Sequence, residues 1–354
     1  MPLDNITSFV KGYNLLIITK LGGIIMIPFS ILDLCPILQN GSPAQAFADT
    51  VELAQHAEKL NFKRFWLAEH HNMPGIASAA TPLVISLVAS ATKQIRVGSG
   101  GVMLPNHAPL VIAEQFGTLA TLYPDRIDLG IGRAPGTDSL TASALRRNLE
   151  TEIENFPEDV LELRYFLQPK QPNQKVAAIP GESTQIPIWL LGSSLFSSGL
   201  AADFSMPFAF ASHFAPDLLL PAIDLYKSRF QPSSELAEPY IMAGVVVIVA
   251  DTDEEAQYHF SSMQHQTAAI YRGSPIPLPP PNQDITSICS SIELASVQHS
   301  LAEAIVGSPE TVQVKLERFI KKTQVNELII TSRIYEREAR LNSLAKIAEI
   351  RDSL

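Results

Sequence analysis

Cysteine is nearly missing from this chain, with Cys35 and Cys289 the only two in 354 residues. They form no C-x-x-C pair, which excludes a disulfide framework and fits a reducing, cytoplasmic setting. Both thiols read as small buried apolar groups. Basic residues are also short, 26 Lys and Arg against 36 Asp and Glu for a net charge of −10, and no basic stripe or arm stands out. That balance argues against nucleic acid as a partner, and a phosphate-bearing cofactor would need local help from Arg or backbone amides. Charged side chains make up only 18% while apolar ones reach 46%, a composition that excludes disorder. Long uninterrupted apolar runs are lacking too. The nearest candidate, residues 14–25, is broken by Lys20 and by Gly22-Gly23 and has no clear small-residue cleavage site, so it makes a poor signal peptide. A membrane span fails because extending the run consumes residues 28–34, which read as the first core strand. Residues 1–25 are expected to be a frayed extension or a start placed upstream of Met26, and residues 26–354 a single domain.

From residue 28 onward, short apolar runs alternate with helical stretches. Strands are expected at 28–34, 64–71, 95–104, 127–132, 186–191, 208–212, 243–250 and 327–334. The run 243–250 is strongly β-branched, as a strand buried on both faces should be. Helices are expected at 44–60, 81–92, 109–123, 138–167, after Gly192-Ser193-Ser194, and at 218–230, 253–271, near 293, 309–323 and 336–351. Their start signals are local: Pro109 opens one, Asp253, Glu254 and Glu255 fill the first turn of another, and Ser308 precedes Pro309 as a cap. Eight strand–helix units without an intervening linker predict an α/β fold, a (β/α)8 TIM barrel with insertions, and an open doubly wound sheet is the rival. The proline-rich stretch 274–283 breaks the rhythm. It reads as an ordered insertion over the barrel mouth rather than a proline-rich ligand for a partner domain.

In such a barrel, chemistry gathers at the carboxyl ends of the strands. The second strand ends in Ala68-Glu69-His70-His71-Asn72. Adjacent strand residues face opposite ways, so the two histidines are poor joint ligands and no metal is expected. One imidazole facing the mouth suits acid–base work near neutral pH, and a purely structural hydrogen bond is the alternative. The third strand ends in Gly98-Ser99-Gly100-Gly101, where bare backbone either admits a flat ring or forms a bulge. In Gly130-Ile131-Gly132-Arg133-Ala134-Pro135-Gly136 the glycine spacing is wrong for a dinucleotide fingerprint. The forked Arg133 guanidinium suits either phosphate oxygens or a surface salt bridge. Gly192-Ser193-Ser194 before a helix makes either a phosphate cradle or a plain serine cap. Ser212-His213-Phe214 could form part of a pocket wall, and no G-x-S-x-G elbow or P-loop occurs.

At these residues the chain resembles the bacterial luciferase-like flavin-dependent monooxygenase family, in particular its branch of luciferase-like oxidoreductases. The likeness rests on AEHHNMPGIAS (68–78), RVGSGGVMLPNHAP (96–109), AEQFGT (113–118), RIDLGIGRAPGTD (126–138), FASHFAP (210–216) and GSPETV (307–312), and runs from about residue 26 to the C-terminus. The resemblance implies a barrel, usually dimeric, that takes reduced FMN from a separate NAD(P)H:flavin reductase and uses O2 to oxidise a small organic substrate. By the same resemblance His70 corresponds to the active-site histidine. Gly100 and Gly101 correspond to a strand-end step, often a non-proline cis peptide, that lies against the isoalloxazine. Arg133 and Ser193 correspond to phosphate-binding positions, and Ser194 adds a donor. Gly192 stands where luciferase itself has an acidic residue, and 275–298 follows the family loosely, so no substrate carries over. Two other functions stay open on this fold: hydride transfer with a deazaflavin or nicotinamide, and non-catalytic flavin binding.

Overall fold

The computed structural model describes residues 27–134, 136–145 and 155–354. The extension expected over 1–25 lies outside the described residues, as does the middle of the helix expected at 138–167. In chain order the first half runs β1 (Phe29–Asp33), α1 (Pro43–Lys59), β2 (Arg64–Leu67), α2 (Thr81–Ala91), β3 (Arg96–Met103), α3 (Pro109–Leu122), β4 (Ile127–Gly132), α4 (Ser139–Leu145) and α5 (Phe156–Leu167). The second half runs β5 (Ile188–Gly192), α6 (Leu195–Asp203), β6 (Phe208–Phe210), α7 (Leu219–Arg229), β7 (Ile241–Val249), α8 (Asp253–Tyr271), α9 (Ser291–Ser300), β8 (Ile305–Gly307), α10 (Pro309–Thr323), β9 (Glu327–Thr331) and α11 (Arg337–Ser353).

Strands β1 to β7 pair in sequence and in parallel, and β9 closes the ring between β7 and β1. The architecture is therefore a closed eight-stranded (β/α)8 barrel, and the open-sheet rival falls. A ninth strand was not expected. β8 pairs with β7 at Val247 and beyond, above the stretch where Met242 to Val246 pair with β9. Its three residues, Ile305-Val306-Gly307, are too few to carry a strand periodicity. Helix starts follow their local signals: the Ser42, Thr252 and Ser308 side chains each accept a first-turn backbone N–H.

Strand alternation sorts the side chains. Outward residues such as Val97, Leu129, Ala243 and Ile330 join the large cluster beneath the helices. Inward residues fill the barrel in layers. At the amino end, Arg64 Nη1 donates to Asp128 (2.7 Å) and Nε to Glu327 (3.0 Å), while Arg96 Nη2 donates to Asp128 (2.6 Å) and Tyr240 Oη to Glu327 (2.8 Å). Burial alone would raise the Asp128 carboxyl, but Arg64 and Arg96 overcome it and hold it at about 2. Above lies a layer of Leu32, Trp66, Trp189, Met242 and Ile329, with the two indoles edge to face at 5.2 Å. A cavity of about 690 Å3 opens at the amino end of the barrel, lined by Arg96, Arg164, Glu235 and neighbours, well away from the strand ends where the candidate chemistry lies.

Three strands stop sooner than their sequences suggest: β2 at Leu67 rather than 71, β6 at Phe210 rather than 212, and β9 at Thr331 rather than 334. The proline-rich stretch is ordered, as expected. Leu278 is fully buried and joins the loop after β1, its N–H donating to Ile37 O (2.8 Å) and its carbonyl accepting from Gln39 N–H (2.7 Å). Both cysteines are buried and free, and burial pushes the Cys35 thiol up to about 12, so neither has thiolate character. No described helix is long and apolar enough to cross a membrane.

Candidate active site

Glu69, immediately before His70, organises the ends of β2 and β3. Its side chain is buried, and its backbone N–H donates to Gly101 O (3.2 Å). Its carboxylate accepts from the Met103 N–H (3.0 Å), from His71 Nε2 (2.7 Å) and from His107 Nε2 (3.0 Å). Burial would raise this carboxyl, and the donors from His107, His71 and Met103 outweigh it and hold it below its ordinary range. Glu69 thus grips β3 at the glycine step and just past it. The sequence reading quoted this residue without giving it a role. The signal was there, a carboxylate in an otherwise apolar Phe65-Trp66-Leu67-Ala68 run.

The two histidines do diverge. His71 turns to Glu69, whereas His70 Nδ1 lies 3.2 Å from Gly136 O in the loop after β4. A carbonyl can only accept, so Nδ1 carries the proton and Nε2 carries the lone pair. Burial, with help from the Arg333 charge, holds His70 below the ordinary imidazole range, so the ring is neutral at pH 7. A neutral ring with a free Nε2 is a proton acceptor. Among the described residues no group of His, Cys, Asp and Glu could hold a metal ion.

Gly100 and Gly101 are joined by a cis peptide, and the register of β3 on β4 shifts between Gly100 and Val102. Of the two sequence readings of this site, the bulge is the one that the register shift shows. A Cβ on Gly100 would lie 2.8 Å from Leu32 Cδ1 and 3.1 Å from Trp66 Cβ, and one on Gly101 would lie 2.9 Å from Gly130 O. Neither position has room for a side chain, so the rim here is bare backbone.

Arg133 and the serines also meet. The Arg133 guanidinium stacks on Phe196 in the first turn of α6, 4.1 Å from the ring centre, and has no carboxylate partner among the described residues. Among the described residues the surface salt bridge considered for Arg133 is not formed. Ser194 is the N-cap of α6, yet its side chain makes no capping hydrogen bond, leaving first-turn N–H groups and a hydroxyl uncommitted next to Ser193. Gly192 has a packing reason: a Cβ there would lie 2.4 Å from Ser197 Cβ, so an acidic side chain would displace α6. Pro135, in the same β4 loop, lies outside the described residues.

Three further residues belong to the rim. His213 stands over Gly244, its enclosed Nδ1 without a partner, and burial followed by the charge of Arg333 pushes it down to about 3. Arg333, just past β9, donates through Nη1 to Gln266 Oε1 (2.7 Å). Gln266 Nε2 in turn donates to Ile276 O of the proline-rich stretch (3.2 Å). The sequence reading left His213 as a pocket wall and passed over Arg333 and Gln266. Applying the strand-end rule to β9 would have found Arg333, while Gln266 gives no signal from its place inside a helix. An imidazole, a bare glycine step, an anion-ready helix start and a guanidinium therefore share the carboxyl rim. These donors suit a ligand with one flat face and one phosphate.

The chain matches the model of the luciferase-like monooxygenase family over residues 27–327. It is 51% identical over 322 residues to the Bacillus subtilis protein YvbT, covering 91% of this chain and 96% of that protein. It is 48% identical over 328 residues to a luciferase-like monooxygenase of Escherichia coli K12, covering 93% and 98%. Among solved structures it is similar to apo-MsnO8 (TM-score 0.82, 33% identity), covering 92% of this chain and 98% of that one. More distant structures share the fold alone. They include the oxygenating constituent of 3,6-diketocamphane monooxygenase from Pseudomonas putida in complex with FMN (TM-score 0.67, 18%) and an F420-dependent secondary alcohol dehydrogenase (TM-score 0.67, 13%).

Proposed function

Because this chain belongs to the luciferase-like monooxygenase family, we propose that it binds reduced FMN and uses O2 to oxidise a small organic substrate. The observation that carries this reading is the uncapped start of α6, with Ser193, Ser194 and an unpaired Arg133, on the same rim as the Gly100–Gly101 step and His70. Arg133, Ser193 and Ser194 would hold the phosphate, and Gly100 and Gly101 would face the flat ring. The reduced flavin, when bound, supplies the electrons that activate oxygen. His70, fixed through Nδ1 by Gly136, accepts a proton at Nε2 during turnover. The proline-rich stretch, tied down through Leu278 and Gln266, excludes water from the mouth.

The same proposal includes a separate NAD(P)H:flavin reductase, a cytoplasmic setting, a single domain from residue 26 and a homodimer. Exposed apolar side chains on α2 and α3 favour the last: Leu83 is 73% exposed and Leu122 59%. The test is an FMN titration and an oxygen-uptake assay with reduced FMN. Arg133→Ala should weaken FMN binding by roughly tenfold or more, the scale of one charge-assisted hydrogen bond. His70→Ala should keep FMN affinity and lose most turnover. Equal FMN affinity in Arg133→Ala would remove the phosphate role, and unchanged turnover in His70→Ala would remove the proton role. Anaerobic turnover of an alcohol with no oxygen uptake would favour hydride transfer with a deazaflavin or nicotinamide instead. Flavin binding with no oxygen chemistry at all would leave a carrier protein.

A further inference from the structure

The carboxyl end of β9 holds an unusual concentration of unsatisfied polar atoms. Thr331 Oγ1, Ser332 Oγ and Arg333 Nε are all enclosed without a hydrogen-bond partner, three residues in succession. His213 Nδ1 shares that condition. So does Ser262 Oγ, one turn before Gln266 on the buried face of α8. Folded proteins leave few such atoms, and a run of them calls for a ligand or bound water.

Arg333 sharpens the point. Its guanidinium meets one neutral acceptor, Gln266 Oε1, and no carboxylate lies within 4 Å among the described residues. Its neighbour Arg340 does have one, Asp33, at 2.6 Å. Burial and Arg340 together push Arg333 down to about 10, which still leaves it charged at neutral pH. Both imidazoles that could face it are held neutral, so neither supplies a negative charge. A half-buried guanidinium with an enclosed Nε and no carboxylate partner among the described residues is unfavourable unless an anion joins it in the working state. The alternation of β9 aims Thr331 into the barrel, on the side of Glu327 and Ile329. The Thr331 hydroxyl and the Arg333 Nε–H, two residues apart, are donors suited to the paired oxygens of a carboxylate, and the Ser332 hydroxyl lies between them in the chain.

We propose that Thr331, Ser332 and Arg333, with His213 beside them, form a subsite for the carboxylate of the organic substrate, separate from the phosphate grip at Arg133. This deepens the flavin-monooxygenase reading and rests on it for the meaning of "substrate". Because Gln266 bridges Arg333 to the Ile276 carbonyl, an anion drawn to Arg333 also bears on the proline-rich stretch above. The same donors could instead serve the ring oxygens of a flavin, so the test separates the two sources.

The probes are linear monocarboxylates of four to eight carbons and their primary amides, titrated by ligand-observed NMR against the full-length protein. At least one acid should bind tenfold or more tighter than its amide. Arg333→Met should erase that preference, and Ser332→Ala should weaken it severalfold. Because Arg333 is unpaired, Arg333→Met should match or exceed the wild type in urea midpoint. FMN titrated on the same samples should bind wild type and Arg333→Met alike. Equal binding of acids and amides, or a preference surviving in Arg333→Met, overturns the subsite. So does a large fall in urea midpoint, which would make Arg333 a structural residue, or a tenfold loss of FMN affinity in Arg333→Met, which would assign the donors to the flavin. Failure of FMN to bind wild type would sink the flavin reading while leaving the acid-over-amide comparison to be judged by itself.

Discussion

His213 shows how one side chain reports on the whole mouth. Burial, then the charges of Arg333 and His70, push its imidazole down to about 3 from an unfolded value of 6.5. Above pH 6.5 both states hold it neutral and it contributes no pH dependence. As pH falls from 6.5 toward 3 the unfolded chain takes up a proton that the folded chain refuses, so stability is lost through that window. At pH 5 the loss from this group approaches about 2 kcal/mol, at roughly 1.4 kcal/mol per pH unit. The urea midpoint of the wild type should therefore drop between pH 7 and pH 5, and His213→Gln should drop less. Parallel behaviour of the two proteins would mean that the ring is not held neutral by its surroundings. Part of this was legible in the sequence, since His213 follows a strand and sits beside Ser212 and Phe214. Its low proton affinity was not, because that comes first from burial in the closed mouth and then from Arg333, which is 120 residues away in the chain and is brought close only by barrel closure.

At the scale of elements, the fold was readable wherever a strand or helix carries its own signal. α8 and α10 begin and end where their caps and charges place them, at Asp253–Tyr271 and Pro309–Thr323. Strand ends were the weak point, because β2, β6 and β9 stop at Leu67, Phe210 and Thr331 although residues of strand-like composition follow. β8 was missed because three residues show no period. The proposed phosphate cradle tests this level of description. A Cβ on Gly192 would lie 2.4 Å from both Cβ and Oγ of Ser197, so Gly192→Ala must push the first turn of α6 away from β5. We expect Gly192→Ala to weaken FMN binding severalfold although residue 192 offers no donor, with most of the change recovered in Gly192→Ala/Ser197→Gly. The paired FMN titrations check it, and a double variant as weak as the single one would place the fault elsewhere than in the position of α6.

Across the whole molecule the barrel divides its labour by height. At the carboxyl rim the Arg333 guanidinium has no carboxylate partner among the described residues, whereas at the amino end each charged side chain has a direct ionic partner. Arg64 there joins Asp128 on β4 to Glu327 on β9, and Lys63 and Arg96 add further positive charge to the two carboxylates. Ser30 on β1 and Tyr240 also donate to Glu327. That network ties together β1, β2, β3, β4 and β9 and the start of β7. Truncating Arg64 strips the two buried carboxylates of their shared guanidinium and leaves each with a single, less buried cation, an effect of up to about 3–5 kcal/mol. Arg64→Ala should accordingly lower the urea-unfolding free energy by an amount in that range, while folded protein keeps its FMN affinity. Chemical denaturation alongside FMN titration distinguishes the outcomes. If Arg64→Ala lost FMN affinity in proportion to stability, the two ends of the barrel would be coupled rather than independent.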